Sequence, residues 1–74
     1  MKKIAMLHTS SATLAMMQQL IADIMPEVEV MHLVEESMIK QVMKAGGVTP
    51  NIAARIADYV HIAEKADCDI FITA

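Results

Sequence analysis

Short apolar runs alternate along the chain with longer stretches that have helical spacing. Residues 4–7 form a continuous apolar run, IAML, which the polar segment 8–11 closes. Such a run is typical of a strand that is buried on both faces of a parallel sheet. The run IFITA at 70–74 predicts a second strand of this kind, at the centre of the sheet. The partial alternation over 28–34 predicts a less buried strand near an edge.

The segment after the first strand predicts a helix that ends at about Met25. Ser10 or Ser11 can cap its N-terminus, and Pro26 disfavours helical backbone at the residue before it. The apolar residues follow the three- and four-residue spacing of one helical face. They are Leu14, Met17, Ile21, Ile24 and Met25.

Two further helices are predicted before the last strand. The first opens at 35–37, EES, and ends at the glycine pair 46–47. The second starts at Thr49 and Pro50, a cap residue followed by a proline suited to the first helical position. Its apolar face consists of Ile52, Ile56, Tyr59, Val60 and Ala63. A turn at 66–69 then leads into the last strand.

This order of elements predicts an α/β fold, namely a partial doubly wound parallel sheet with the order β-α-β-α-α-β and the strand order 2-1-3. In such sheets, ligands bind at the carboxyl ends of the strands, near the point where the strand order reverses. We therefore expect a site formed by residues 8–11 and by the residues that follow Thr73.

Composition limits the class of protein. The 74 residues are 55% hydrophobic and 20% charged, which is too apolar for a disordered chain. The longest apolar runs have about five residues, against the ~20 that span a bilayer, and no signal peptide is recognisable. We therefore expect a cytoplasmic location. Some of the apolar surface should be covered by more protein, so we also expect a homo-oligomer or self-association through an exposed sheet edge.

Charge and residue types exclude several partners. Six Lys and Arg stand against nine Asp and Glu, without a basic stripe, and the aromatics are one Tyr and one Phe. Nucleic-acid binding therefore lacks both its charge pattern and its stacking surfaces. The single cysteine excludes an internal disulfide, and we expect no metal and no other cofactor. The eight methionines are either adaptable core filler or part of a docking surface.

The segment HTSSAT at 8–13 is the main candidate for chemistry. It joins a strand to a helix N-terminus, where free backbone N–H groups favour an anion. The hydroxyls of Thr9, Ser10 and Ser11 add donors that suit a carboxylate or a phosphate, although the loop has no glycine to wrap a phosphate. The alternative is an ordinary capped loop. His8 is either a proton-transfer group at the site or a polar boundary residue.

The remaining polar residues indicate structure rather than chemistry. Cys68 stands before the last strand and is interpreted as a small, partly buried filler. Asp67, Asp69, Glu35 and Glu36 are expected to be solvated turn residues and helix starts rather than an acid–base pair.

Three segments in order resemble a known family. KKIAMLHTSSAT, AGGVTPNI and ADCDIFITA resemble the N-terminal half of the first lobe of the aspartate/glutamate/hydantoin racemase superfamily, over essentially all 74 residues. The resemblance implies two similar α/β lobes and a cofactor-independent reaction on a small carboxylate or amino acid. It also implies two cysteines, one in each lobe: one thiolate removes the α-proton and the other thiol returns a proton on the opposite face.

The resemblance also implies roles for particular residues. It carries the substrate carboxylate onto Thr9, Ser10 and Ser11. His8 and Thr73, at the expected site, are also predicted to bind the substrate. The first-lobe cysteine would follow Ala74, so no catalytic residue is expected within the chain, and Cys68 is not assigned that role. Residues 1–74 would then be an N-terminal fragment of a racemase-like α/β lobe, inactive by itself.

Two other functions remain open. A phosphocarrier-like module, similar to the IIB subunits of the sugar phosphotransferase system, would be phosphorylated at His8. A small interaction domain would instead complete its sheet by dimerising along the flank of 70–72.

Overall fold

The computed structural model describes residues 2–73 as a mixed α/β fold. Its elements are β1 (Lys3–His8), α1 (Ala12–Ile24), β2 (Glu29–Val34), α2 (Ser37–Ala45), α3 (Pro50–Lys65) and β3 (Ile70–Thr73). The predicted order β-α-β-α-α-β is confirmed. Within this part of the chain, no helix has the length and apolar character that crossing a membrane requires.

The described strands form one parallel sheet with the order β2-β1-β3. Leu7 of β1 stands opposite Leu33 of β2 on one side and Thr73 of β3 on the other. The predicted strand order 2-1-3 is therefore confirmed, as is the position of the second strand at an edge. The carboxyl ends of all three described strands lie at the same edge of the sheet.

The core follows β1, whose residues from Ile4 to His8 are all buried. The prediction that the last strand is central is wrong for the described sheet, because β3 pairs with β1 alone. Ile70 and Ile72 on β3 are 45% and 39% exposed. An apolar run shows that a strand is hydrophobic, but it does not show how many neighbours the strand has. Ala74, the last residue of the predicted strand, lies outside the described residues.

The helices bury single stripes against the sheet and each other. The buried helical residues are Ile21 of α1, Met38 of α2, and Ile52 and Ala63 of α3. The predicted face of α3 is confirmed, since all five of its apolar residues are buried or half-buried. The predicted face of α1 holds only as far as Ile21. Ile24 is 66% exposed and Met25 is also exposed, because the helix ends there and no described element covers its last turn.

Local signals explain where the helices begin and end. The Thr49 hydroxyl accepts the Ile52 N–H at 3.3 Å, and Pro50 is the first residue of α3. Gly46 ends α2 with a φ of +79°, a backbone conformation that glycine adopts without strain. At the start of α1, the first of the two predicted cap residues makes the bond, since the Ser10 hydroxyl oxygen accepts the Ala12 N–H at 3.2 Å. Ser11 takes the cap position, but its side chain makes no capping hydrogen bond.

The methionines divide between the core and the surface. Met6 and Met38 are buried in the core, as adaptable filler would be. Met16 and Met43 are among the most exposed large apolar residues of the described chain. The structure therefore leaves room for a methionine-containing docking surface without showing what would cover it.

Candidate functional site

The loop after β1 presents hydroxyl groups at the carboxyl edge of the sheet. The Ser10 hydroxyl oxygen accepts the Ala12 N–H at 3.2 Å, which leaves its own hydrogen free to donate outward. Ser11 is exposed, and its hydroxyl makes no capping bond to α1. Thr9 is half-buried beside them. The loop thus has two serine hydroxyl donors at the start of a helix.

The end of β3 reaches the same edge. Thr73 pairs with Leu7, one residue before the end of β1, and Thr73 is exposed. The chain leaves β1 toward β2 on one side and returns through β3 on the other, so the strand order reverses between β1 and β3. The structure therefore brings the predicted residues 9–11 and Thr73 to the predicted position in the sheet.

His8, the fifth residue of the predicted site, is the last residue of β1 rather than part of the loop. Its side chain is fully buried. Its Nδ1 lies 2.9 Å from the Thr13 hydroxyl, and its Nε2 lies 2.8 Å from Nδ1 of His32. Both ring nitrogens are thus engaged within the protein.

The sequence analysis did not pair His8 with His32. The register places Met6 opposite His32 in neighbouring parallel strands. His8 is two residues after Met6, and side chains two residues apart share one face of a strand. The two imidazoles are therefore diagonal neighbours, with ring centres 5.0 Å apart. The strand register was the signal for this pair, and the spacing along the chain does not contain it.

Counting donors fixes the protons of this chain of hydrogen bonds. We assign the Thr13 hydroxyl as the donor to the Ser10 carbonyl at 3.0 Å, and with this assignment its oxygen accepts from Nδ1–H of His8. In this assignment Nε2 of His8 accepts from Nδ1–H of His32. The remaining nitrogen of His32, Nε2, is consequently a hydrogen-bond acceptor.

The electrostatics agree with a neutral His32. Burial lowers the pKa of His32 below its ordinary value of 6.5, and the neighbouring His8 lowers it further. Both causes disfavour the imidazolium form. At pH 7 the His32 ring is therefore neutral and keeps one lone pair.

A second polar cluster joins the end of β2 to both following helices. The Glu35 carboxylate accepts from the Ser37 hydroxyl at 2.6 Å, from the Tyr59 hydroxyl at 2.8 Å and from the Arg55 guanidinium at 2.9 Å. Arg55 also donates to the Ser37 hydroxyl oxygen and to the Gln41 side chain. The cluster satisfies its own charges and leaves no carboxylate directed at a ligand.

Glu35 therefore differs from the prediction of a solvated helix start. The hydrogen bond from Ser37 contributes most to lowering the pKa of Glu35 to about 2, and those from Tyr59 and Arg55 add to it. The same contact with Glu35 raises the pKa of Tyr59. Sequence reasoning missed the cluster because its members come from separate elements. Glu36, Asp67 and Asp69 are exposed, as predicted.

Cys68 lies at the opposite edge of the sheet from the candidate site. The next residue, Asp69, donates its N–H to the Lys3 carbonyl at 2.8 Å, at the amino end of β1. The half-buried thiol is therefore separated from the loop by the length of β1. Within residues 2–73, no group of three or more His, Cys, Asp and Glu side chains could hold a metal ion.

The Glu35 cluster predicts how stability depends on pH. The folded-state pKa of Glu35 is about 2, below its ordinary 4.5, so its contribution is present above pH 4.5 and is lost as the pH falls toward 2. Glu35→Gln should lower the free energy of unfolding at pH 7 by roughly 1–3 kcal/mol and flatten this acid dependence. Urea denaturation between pH 2 and pH 7 measures both effects.

Glu36→Gln is the matched control, because Glu36 is the neighbouring residue and is exposed. It should change the free energy of unfolding by less than about 0.5 kcal/mol. Equal losses in the two variants would show that the Glu35 cluster does not stabilise the fold.

Comparisons with known proteins identify no relative of this chain. No protein-family model matches the chain, and neither a curated protein nor a solved structure matches it. The function must therefore be argued from the site itself and from the sequence pattern.

Proposed function

We propose that this chain is the carboxylate-binding part of a cofactor-independent racemase or related isomerase that acts on a small carboxylate or amino acid. The substrate carboxylate would lie at the carboxyl edge of the sheet, against residues 9–11 and Thr73. The proposal is supported by the place of these residues at one edge of the sheet, where the strand order reverses and Thr73 pairs with Leu7.

The chemistry of the loop suits a carboxylate. The Ser11 hydroxyl is exposed and the Ser10 hydroxyl hydrogen is available, so the loop supplies donors. The N-terminus of α1 adds its positive dipole end. No acidic residue occurs within 8–13 to repel an anion. The family resemblance of the sequence also implies that Thr9, Ser10 and Ser11 hold the substrate carboxylate.

The burial of His8 favours this function over a phosphocarrier. A phosphorylated histidine needs a ring nitrogen that a donor can reach, whereas His8 is fully buried and both of its nitrogens are hydrogen-bonded. A carboxylate at the loop requires no such access, because it would contact the hydroxyls above the imidazole.

The proposal assigns substrate binding to this chain and no catalytic residue among residues 2–73. Cys68, the thiol of the chain, lies at the amino edge of the sheet and is not positioned to remove a proton from a substrate held at the carboxyl edge. We place the activity in the cytosol, where a thiol such as that of Cys68 stays reduced.

Titration of the 15N-labelled chain with L-aspartate and D-aspartate tests the proposal. We expect both to bind with millimolar affinity and to shift the amide signals of 9–13 and of Thr73. Ser11→Ala should weaken binding roughly 2- to 10-fold, the effect of losing one hydrogen bond. Signals that move elsewhere, or not at all, would contradict the proposed site.

Two controls separate carboxylate recognition from general effects. Gln19→Ala changes an exposed residue of α1 whose side chain bonds Asp23, so binding should stay as in the parent chain. Acetamide, which lacks the charge of acetate, should not shift the loop signals. If acetate and acetamide gave the same shifts, the loop would not be a carboxylate site.

We also infer self-association through the free side of β3. One side of β3 pairs with β1, and the other side has no described neighbour. Ile70 and Ile72 leave apolar surface exposed along this strand. A second copy of the chain can pair there strand to strand, which would cover both the apolar side chains and the unpaired backbone groups.

Sedimentation velocity at micromolar concentrations tests the association. The parent chain should sediment as a dimer, and Ile72→Lys should shift it to the monomer because a charge then lies at the edge. Ile62→Lys, at a similarly exposed position on α3, should leave the dimer intact. A parent chain that stays monomeric, or equal effects of both variants, would exclude this interface.

A further inference from the structure

A groove lies between the second half of α1 and β2, which is an edge strand of the described sheet. Its volume is about 360 Å³, within the range of small-molecule sites. Its walls are mainly apolar and include Ile21 and Met25 from α1 and its end, and Val28 and Val30 from β2 and the turn before it. Two polar side chains, Gln18 and His32, also line it.

The groove excludes charged ligands by its composition. None of the side chains that line it is Lys, Arg, Asp or Glu. A charged ligand would therefore find no counter-charge among these side chains. A neutral molecule with an apolar body would instead gain by covering the aliphatic walls.

His32 supplies a hydrogen-bond acceptor among the residues that line this groove. Its Nδ1–H is committed to the buried Nε2 of His8 at 2.8 Å. Nε2 is therefore the ring nitrogen that His32 has left for a ligand, and within residues 2–73 no hydrogen bond to it is found. The bond to His8 and the bond from His8 to Thr13 hold the ring in this orientation.

The chain of hydrogen bonds strengthens this acceptor. His32 donates to His8, His8 to Thr13, and Thr13 to the Ser10 carbonyl. In a chain of hydrogen bonds that run in one direction, the bonds polarise each other. A group that donates a hydrogen bond gains electron density, so it becomes a stronger acceptor for the next donor. A ligand that donates to Nε2 of His32 would join the chain at its open end.

We propose that this groove binds a small neutral molecule of the phenol class, whose hydroxyl donates to Nε2 of His32 while its ring covers Ile21 and Val30. The thioether of Met25 adds a favourable contact for an aromatic ring. The Gln18 amide, at the groove, provides a second polar contact for the hydroxyl oxygen. This site shares no residue with the proposed carboxylate site, so either can fail without the other.

Titration of the 15N-labelled chain with phenol and with toluene tests the proposal. Phenol should bind saturably at millimolar concentrations and shift the amide signals of Ile21, Val30 and His32. Phenol should also shift the signal of Hε1 of His32, the ring proton on the carbon between the two nitrogens. Toluene should shift the amide signals alone. Absence of saturable phenol binding would overturn the proposal.

A variant cycle isolates the hydrogen bond. In His32→Phe, the ratio of phenol affinity to toluene affinity should fall roughly 2- to 10-fold, because the acceptor is gone and the apolar walls remain. His61→Phe, on the exposed side of α3, should leave the ratio unchanged. An unchanged ratio in His32→Phe would reduce the site to an apolar groove without the proposed recognition. If His32→Phe does not fold, the His32 ring signal of the parent chain decides: movement with toluene equal to that with phenol would overturn the proposal.

Discussion

The burial of His8 at the end of the central strand is the constraint on which the other polar features depend. A fully buried imidazole has two ring nitrogens, and leaving either without a partner costs free energy. Thr13 satisfies one nitrogen and His32 satisfies the other. Because these partners come from α1 and β2, a single side chain ties three elements together. The backbone adds to this tie, since the His8 carbonyl accepts the Glu35 N–H at 2.8 Å.

This constraint also determines which groups remain for ligands. The buried hydrogen bonds give His8 one tautomer and leave Nε2 of His32 as an acceptor at the α1–β2 groove. The loop above His8 keeps its serine hydroxyl hydrogens, because Thr13 donates to the Ser10 carbonyl and the Ala12 amide donates to the Ser10 hydroxyl oxygen. Both proposed sites therefore depend on the packing of His8. The loop after β1 offers hydrogen-bond donors, and Nε2 of His32 at the groove offers an acceptor.

Much of the fold could be predicted because its signals are local. Apolar runs mark the strands, while Thr49, Pro50 and Gly46 mark helix ends through their own backbone chemistry. The parallel order of the sheet then places residues 9–11 beside Thr73 without further information. The failures concern tertiary surroundings. Neither the edge position of β3 nor the exposure of Ile24 depends on the residue itself, because both follow from what lies next to it.

The polar clusters were missed for the same physical reason. His8 and His32 are 24 positions apart, and Glu35 and Tyr59 are also 24 positions apart, so only strand register and helix packing bring them together. Glu35 at a helix start looks solvated in a sequence, since exposed carboxylates are common there. In the folded chain, Arg55 and Tyr59 of α3 contact the Glu35 carboxylate, so Glu35 lies at the centre of a hydrogen-bonded cluster.

The most direct test of this account is the protonation of the two imidazoles, observed by long-range 1H–15N correlation spectroscopy of the labelled chain at pH 7.5. The account predicts that both His8 and His32 carry a proton on Nδ1 and none on Nε2. Each Nε2 should then show the shift of an unprotonated nitrogen. A proton on Nε2 of His8 would reverse the direction of the hydrogen bonds and contradict the account.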